Sequence, residues 1–349
     1  MDSRGEAQAV TVGSAAAVES LARQAGFDLC GFARAEPIPS KALLDWLAAG
    51  MAADMDWLAA RAEDRLDPRR LLPGARTVVA LACDYWTEAP EAESSPVARY
   101  ARGRDYHATL RDRLRAFRRL LRAAHPEIQT YGSIDHGPFM EKVWAARAGL
   151  GYVARNGCFV TPELGSWVVL AVLLIDLAVD RYADGPTPDV CGRCRTSVHA
   201  ESTTTADIGG GQVDARLCLS YQTIENEEAV PERLRSAMEQ VVFGCDICQD
   251  VCPLNASPVA ASGPRFLPRA VASLDTLSIA ALTPEAYGRY VPGTALARAG
   301  YDGLRRNAAY ALGAAREVQA RPVLEALAQD ANAVVSEAAR WALGRLSTT

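Results

Sequence analysis

Nine cysteines lie along a chain of 349 residues, and six of them fall between positions 191 and 252. The densest run is Cys245-Asp246-Ile247-Cys248-Gln249-Asp250-Val251-Cys252-Pro253. Its Cys-x-x-Cys-x-x-x-Cys-Pro spacing lets thiolates converge on iron from one tight loop. The last thiolate, directed away beside its proline, can reach a second cluster. Upstream stand Cys191-Gly192-Arg193-Cys194 and the isolated Cys218. A single Cys-x-x-Cys pair also suits zinc or a redox dithiol, but the set of six points to iron–sulfur chemistry. Cys191, Cys194 and Cys252 form one candidate ligand set, and Cys218, Cys245 and Cys248 the other. Each is one thiolate short. Ser197 stands where the next cysteine of the first run is expected, and Glu201 about where the last belongs. Either Ser197, His199 or Glu201 substitutes as a ligand, or residues 195–211 are a lesion such as a compensated frameshift; the sequence leaves both open. Cys30, Cys83 and Cys158 sit in apolar segments and are expected to be inert core thiols.

Positioning such a set takes a scaffold, and the chain is long enough to supply more than one domain. Nearly half of its residues are apolar, and the formal net charge is -5. That balance gives no global cationic field, so a nucleic-acid partner must be held by a local basic patch. No stretch reads as a secretion signal or a membrane span, so the chain is expected in the cytoplasm, where clustered cysteines mean metal rather than disulfides. From residue 14 to about 185 helical and strand patterns alternate. Residues 15–25, 41–49, 108–124 and 139–148 read as helices, and 29–33, 77–83 and 168–175 as buried strands. This predicts an α/β domain with a covered sheet over residues 1–188. Residues 189–256 form the cysteine-rich insert, with a helix expected at 231–242. Residues 257–349 turn Ala- and Leu-rich. There, Asn307-Ala308-Ala309-Tyr310-Ala311-Leu312-Gly313 and Ala338-Ala339-Arg340-Trp341-Ala342-Leu343-Gly344 look alike, which suits a pair of HEAT-like helical repeats or a plain helical cap.

Further motifs carry a family resemblance. They include Gly50-Met51-Ala52-Ala53-Asp54-Met55-Asp56-Trp57-Leu58, Leu71-Leu72-Pro73-Gly74-Ala75 and Arg99-Tyr100-Ala101-Arg102-Gly103-Arg104-Asp105-Tyr106-His107. Ala145-Ala146-Arg147-Ala148-Gly149-Leu150-Gly151, then Cys218-Leu219-Ser220-Tyr221-Gln222-Thr223-Ile224-Glu225, and finally Arg298-Ala299-Gly300-Tyr301-Asp302-Gly303-Leu304-Arg305-Arg306-Asn307 follow in order. Together they resemble epoxyqueuosine reductase over most of the chain. The resemblance implies a cobalamin-binding α/β domain, a ferredoxin-like insert with two 4Fe-4S clusters and a helical-repeat region. It also implies reduction of the epoxide of epoxyqueuosine at the tRNA wobble position, with electrons from an external donor passing through the clusters to cobalamin. The expected form is a cytoplasmic monomer with tRNA as partner and no membrane.

The resemblance assigns roles to single residues. Asp135, in Tyr131-Gly132-Ser133-Ile134-Asp135-His136-Gly137-Pro138, matches the family's catalytic aspartate. It is expected to protonate the departing epoxide oxygen, with its proton affinity raised by apolar surroundings. Without the resemblance, a helix N-cap is its commoner role. Tyr106 and His107 are placed beside the corrin, and Ser220 and Asp246, next to cluster cysteines, face it. Arg111, Arg113, Arg115, Arg118, Arg119 and Arg122 form the basic side of one helix, either a solvated face or a phosphate-binding stripe. Arg305 and Arg306 are a second candidate patch. Two other readings compete. One is a tRNA-binding relative whose electron path is broken at Ser197 and Glu201; the other is a corrinoid reductase of a small molecule.

Overall fold

The computed structural model describes residues 12–88, 94–191, 194, 196, 212–258 and 266–346. Four strands make the central sheet: β1 (Leu29–Arg34), β2 (Thr77–Asp84), β3 (Thr130–Ser133) and β6 (Val168–Ile175), in the order β1-β2-β6-β3. A short hairpin, β4 (Tyr152–Val153) and β5 (Phe159–Val160), lies between them in sequence. Every pairing in the central sheet is antiparallel. Within this sheet the alternation of helix and strand patterns therefore hides no parallel crossovers, the parallel pairing of residues 12–13 with 178–179 lying outside it, and the rule that parallel sheets place chemistry at one strand end does not position this site.

The sheet is covered on both faces, which is why β2 reads as one continuous apolar run. Val79, Leu81 and Cys83 pack on helices α1 (Ala15–Gln24) and α3 (Tyr106–Ala124), the latter through Leu110, Leu114, Phe117 and Leu121. Val78, Ala80 and Ala82 pack on Trp144, Ala145 and Ala146 of α4 (Glu141–Arg147). A third core joins the C-terminal helices to the cysteine-rich segment. Leu304, Ala308 and Tyr310 of α7 (Gly300–Ala314) and Ala338 of α9 (Ala333–Leu346) share it with Leu219, Met238 and Phe243. Gly313 lies against Ala342, where an added Cβ would come within 2.6 Å of the facing Cα, so its lack of a side chain sets how closely α7 and α9 pack. The expected helix at 231–242 is broken: Glu232–Arg235 is helical and a 3-10 turn, Ser236–Met238, follows.

Arg305 and Arg306 are not a surface patch. Arg306 is only 2% exposed and donates to the carbonyls of Gln222, Asn226 and Glu228. Arg305 pairs with Asp302 and Asp330. A guanidinium with five donors can tie three carbonyls of a neighbouring loop, and that is its use here.

Candidate functional site

A cavity of about 730 Å³ opens between the sheet, the Asp135 loop and the cysteine-rich segment. Leu43, Trp46, Phe139 and Val168 give it apolar walls, while Tyr106, Asp135, Ser220, Gln249 and Cys158 bring polar groups to it. Large, mostly apolar and with few convergent polar groups, it has the character of a cofactor or substrate site.

Asp135 follows β3 and holds a left-handed backbone, φ 50°. That conformation costs energy outside glycine, although aspartate tolerates it better than most residues. What holds the loop is Arg65, whose guanidinium donates to the carbonyls of Gly137 (3.2 Å) and Phe139 (3.1 Å). The Asp135 side chain lines the cavity. Tyr106 donates its hydroxyl to the Asp135 carboxylate, and His107 Nε2 lies 3.3 Å from the same oxygen. His107 Nδ1 lies 2.9 Å from Asp105, which also caps α3 through the His107 amide.

These contacts reverse the expected protonation. Withdrawal from bulk water pushes the Asp135 carboxyl up, but hydrogen bonds from His107 and Tyr106 outweigh it and hold the group below its ordinary range. Burial likewise pushes the His107 imidazole down, yet its bonds to Asp105 and Asp135 raise it to about 9. At neutral pH the proton therefore resides on His107, and Asp135 is ionised. Glu141 was not anticipated as a site residue. It lines the same cavity, accepts from Ser133 Oγ at 3.1 Å, and is pushed up by burial to about 7. Its only sequence signal was a carboxylate in a helix first turn, which is an ordinary position.

Ser220 and Tyr106 line the cavity. His107 stands behind Asp135 instead. The expected cofactor contact of Asp246 is not what the geometry gives. Its carboxylate accepts from the Arg99 amide at 2.7 Å and from Gln249 Nε2 at 3.3 Å, so it fixes the segment carrying Tyr100; burial raises it to about 6. The thiols Cys218, Cys245 and Cys248 are close enough for their charges to act on one another. Cys252 is similarly close to Cys191 and Cys194. Ser197, His199 and Glu201 lie outside the described residues. Among the described residues no three Cys, His, Asp or Glu side chains converge tightly enough to chelate a single metal ion.

The uncommitted cysteines divide. Cys83 is fully buried and pushed up to about 12, and burial also raises Cys30, so both are core thiols. Cys158 stands at the cavity, and Asn156 ties its turn to the cysteine-rich segment: Oδ1 accepts from the Cys158 amide at 3.1 Å and Nδ2 donates to the Cys248 carbonyl at 3.2 Å. Beside the Asp135 loop is a second hollow of about 360 Å³, bordered by Arg61, Arg111, Arg115, Arg118 and His136.

Residues 189–255 match the 4Fe-4S double cluster binding domain. Residues 65–135, the stretch ending on Asp135, match the epoxyqueuosine reductase QueG family (DUF1730). The epoxyqueuosine reductase of Gloeobacter violaceus is 39% identical over 315 residues, covering 86% of this chain and 96% of that one. That of Pseudomonas aeruginosa is 35% identical over 351 residues, covering 96% and 95%. Among solved structures, an epoxyqueuosine reductase with an epoxyqueuosine-modified tRNA stem loop superposes with a TM-score of 0.85 at 28% identity, covering 95% of this chain and 89% of that one. A second, from Bacillus subtilis, is described with its aspartate catalytic loop swung out of the active site. It gives a TM-score of 0.84 at 28% identity, covering 95% and 90%. The chain belongs to the epoxyqueuosine reductase family, a family of oxidoreductases.

Proposed function

We propose that this chain reduces the epoxide of epoxyqueuosine at the tRNA wobble position to give queuosine. The reaction takes two electrons and two protons, cleaves both carbon–oxygen bonds of the epoxide and releases the oxygen as water. The observation that carries the reading is one cavity with a proton-holding group, Tyr106–Asp135–His107, on one wall and the cysteine segment behind Cys158, Ser220 and Gln249 on another.

The apolar walls and rim hydroxyls fit a corrin, and Leu43, Trp46, Phe139, Tyr106 and Ser220 are the residues that would hold it. Cobalamin held there would supply low-valent cobalt, and 4Fe-4S clusters the single electrons, for carbon–oxygen cleavage. The six cysteines are the candidate cluster ligands: Cys191, Cys194 and Cys252 for one, and Cys218, Cys245 and Cys248 for the other. Asp135 is the residue that hands a proton to the departing oxygen. Since it is ionised at rest, it acts as the relay for the His107 proton while Tyr106 fixes its position. The relative with a swung-out catalytic aspartate loop supports this assignment.

The relative solved with a tRNA stem loop supports tRNA as substrate. The exposed arginines of α3 and the hollow beside Asp135 offer phosphate contacts within reach of the site. The reading divides the chain at residues 1–188, 189–256 and 257–349, with α7 and α9 as a HEAT-like pair, and takes it as a cytoplasmic monomer served by a separate electron donor. Among the described residues no helix is long and apolar enough to cross a membrane.

The test is anaerobic incubation of the iron-reconstituted chain with cobalamin, a strong reductant and epoxyqueuosine-bearing stem loop, followed by nucleoside mass spectrometry. The expected product is lighter by one oxygen. An intact epoxide, with iron fully loaded, would overturn the proposal.

A further inference from the structure

The loop that carries Asp135 has two faces. Asp135 lines the large cavity, while Ser133, Ile134, His136, Gly137 and Pro138 border the hollow of about 360 Å³ on the other side. We propose that this hollow binds a phosphate group of the substrate's backbone, and that the bound phosphate holds the Asp135 loop in place. This rests on the nucleic-acid substrate proposed above and adds to it a site and a task for one phosphate.

The hollow is cationic by construction. Arg61, Arg111, Arg115 and Arg118 border it together with His136, and among the described residues no carboxylate does. Helical spacing gathers three of them: residues 111, 115 and 118 of α3 lie four and three apart, on one face. Arg118 is fixed against β3, with Nε 2.9 Å from Thr130 Oγ1 and Nη2 3.3 Å from the Thr130 carbonyl. Arg61 and Arg115 are steadied from outside. Arg61 Nε donates to Asp64 at 3.0 Å, Arg115 stands 3.9 Å from Asp112, and neither acid borders the hollow. Guanidiniums gathered around one concave space repel one another, and an anion between them relieves that repulsion.

The remaining wall is the loop itself. His136 N donates to the Ile134 carbonyl at 2.5 Å and closes the turn around Asp135. Gly137 folds so tightly onto β3 that an added Cβ would come within 2.1 Å of Ser133 Oγ, so a side chain there would have to displace Ser133. An anion in the hollow would therefore touch the residues immediately before and after Asp135. It would restrain from behind a loop that Arg65 ties through the carbonyls of Gly137 and Phe139. His136 also brings the hollow close to the proton-holding group, since its ring centroid stands 5.5 Å from that of His107. A phosphodiester suits the site because guanidinium donors pair with two oxygens of one phosphate. A polynucleotide whose base enters the cavity carries a phosphate on each side of that nucleotide, so the substrate supplies the anion as it arrives.

The test follows amide exchange of residues 133–138 in the full chain reconstituted with iron. It is measured alone, with millimolar inorganic phosphate, and with stem loops carrying natural phosphodiesters or uncharged methylphosphonates beside the wobble position. Arg111→Gln with Arg115→Gln removes two charges from the hollow; Arg119→Gln with Arg122→Gln, on the same helix but not bordering it, is the control. The expected result is slower exchange with inorganic phosphate and with the natural stem loop, and none with the methylphosphonate. The first pair should lose the slowing and bind phosphate on the order of tenfold or more weakly, while the control pair keeps both. Exchange unmoved by either phosphate source overturns the inference. So does slowing that survives in the methylphosphonate, or an equal loss in the control pair, which would make the effect one of diffuse surface charge. Slowing by inorganic phosphate but not by the natural stem loop overturns the assignment to the substrate's backbone. None of these readouts needs turnover, so a chain that protects its loop yet leaves the epoxide intact would sink the proposed function and leave the anion site standing.

Discussion

The two sides of the cavity are held by different means. On the proton side, one strained residue, Asp135, is pinned by side chains from α3 and by Arg65 acting on the carbonyls that follow it. On the electron side, thiols sit on short loops braced by the side-chain amides of Asn156 and Asn255. The first arrangement fixes a charge state and the second fixes distances. A proton relay depends on which group is ionised, whereas electron transfer depends on spacing and on the charge around sulfur. Under the proposed function each side would suit its own step, and the two are separable by mutation.

The largest expected effect lies on the electron side. Cys248→Ser should remove one of two clusters, cutting iron and sulfide by about half and turnover below detection, as chemical iron analysis would show. A variant that keeps parental iron would break the division of the cysteines into two sets. Next comes Tyr106→Phe, which removes one donor to Asp135 and leaves the cysteines alone. Turnover should fall roughly tenfold with iron content unchanged, measured on the same preparations.

Much of the scaffold was legible because burial on both faces leaves a plain mark. β2 and β6 are unbroken apolar runs, and α3 shows Leu110, Leu114, Phe117 and Leu121 at helical spacing. The antiparallel pairing was not legible, since strand direction is decided by connections and not by residue type. The cysteine spacing displayed its chemistry openly. Three features were hidden for one common reason: each depends on a contact made across the chain. The ionised state of Asp135 comes from Tyr106 and His107 in another element. Cys158 looks like a core thiol until the fold sets it at the cavity and Asn156 links its turn to the Cys248 carbonyl. Arg306 looks like a surface charge until three carbonyls are seen to enclose it.

A smaller effect concerns pH. Unfolded, His107 would ionise near the ordinary value of about 6.5, and folded it is raised to about 9. Its contribution to stability is complete below about pH 6.5 and is lost as pH rises through about 9. Asp135, held below its ordinary range, works in the opposite sense: its contribution is present above that range and is lost as pH falls through the depressed value. Magnetic-resonance titration should find the His107 imidazole changing state near pH 9, and at lower pH in Asp135→Asn. An unmoved titration would mean Asp135 does not hold the charge. The smallest effect belongs to the surface. Charge reversal at Arg115, Arg119 and Arg122, all exposed, should weaken tRNA binding and flatten its salt dependence, because each lost phosphate contact removes a released counterion. A binding isotherm series in rising salt with an unchanged slope would reduce the stripe to a solvated face.

The central claim, that protons and electrons reach the epoxide from opposite walls of one cavity, is tested most directly by a single-turnover comparison of the parent with Asp135→Asn. Both are reconstituted with iron and cobalamin, reduced, freed of excess reductant and mixed with epoxyqueuosine-bearing stem loop, while cluster absorbance and the nucleoside product are followed together. The account predicts equal electron loading in the two proteins. It further predicts conversion in the parent, and a rate lower by a factor on the order of a hundred or more in Asp135→Asn. Conversion by Asp135→Asn at the parental rate would contradict it.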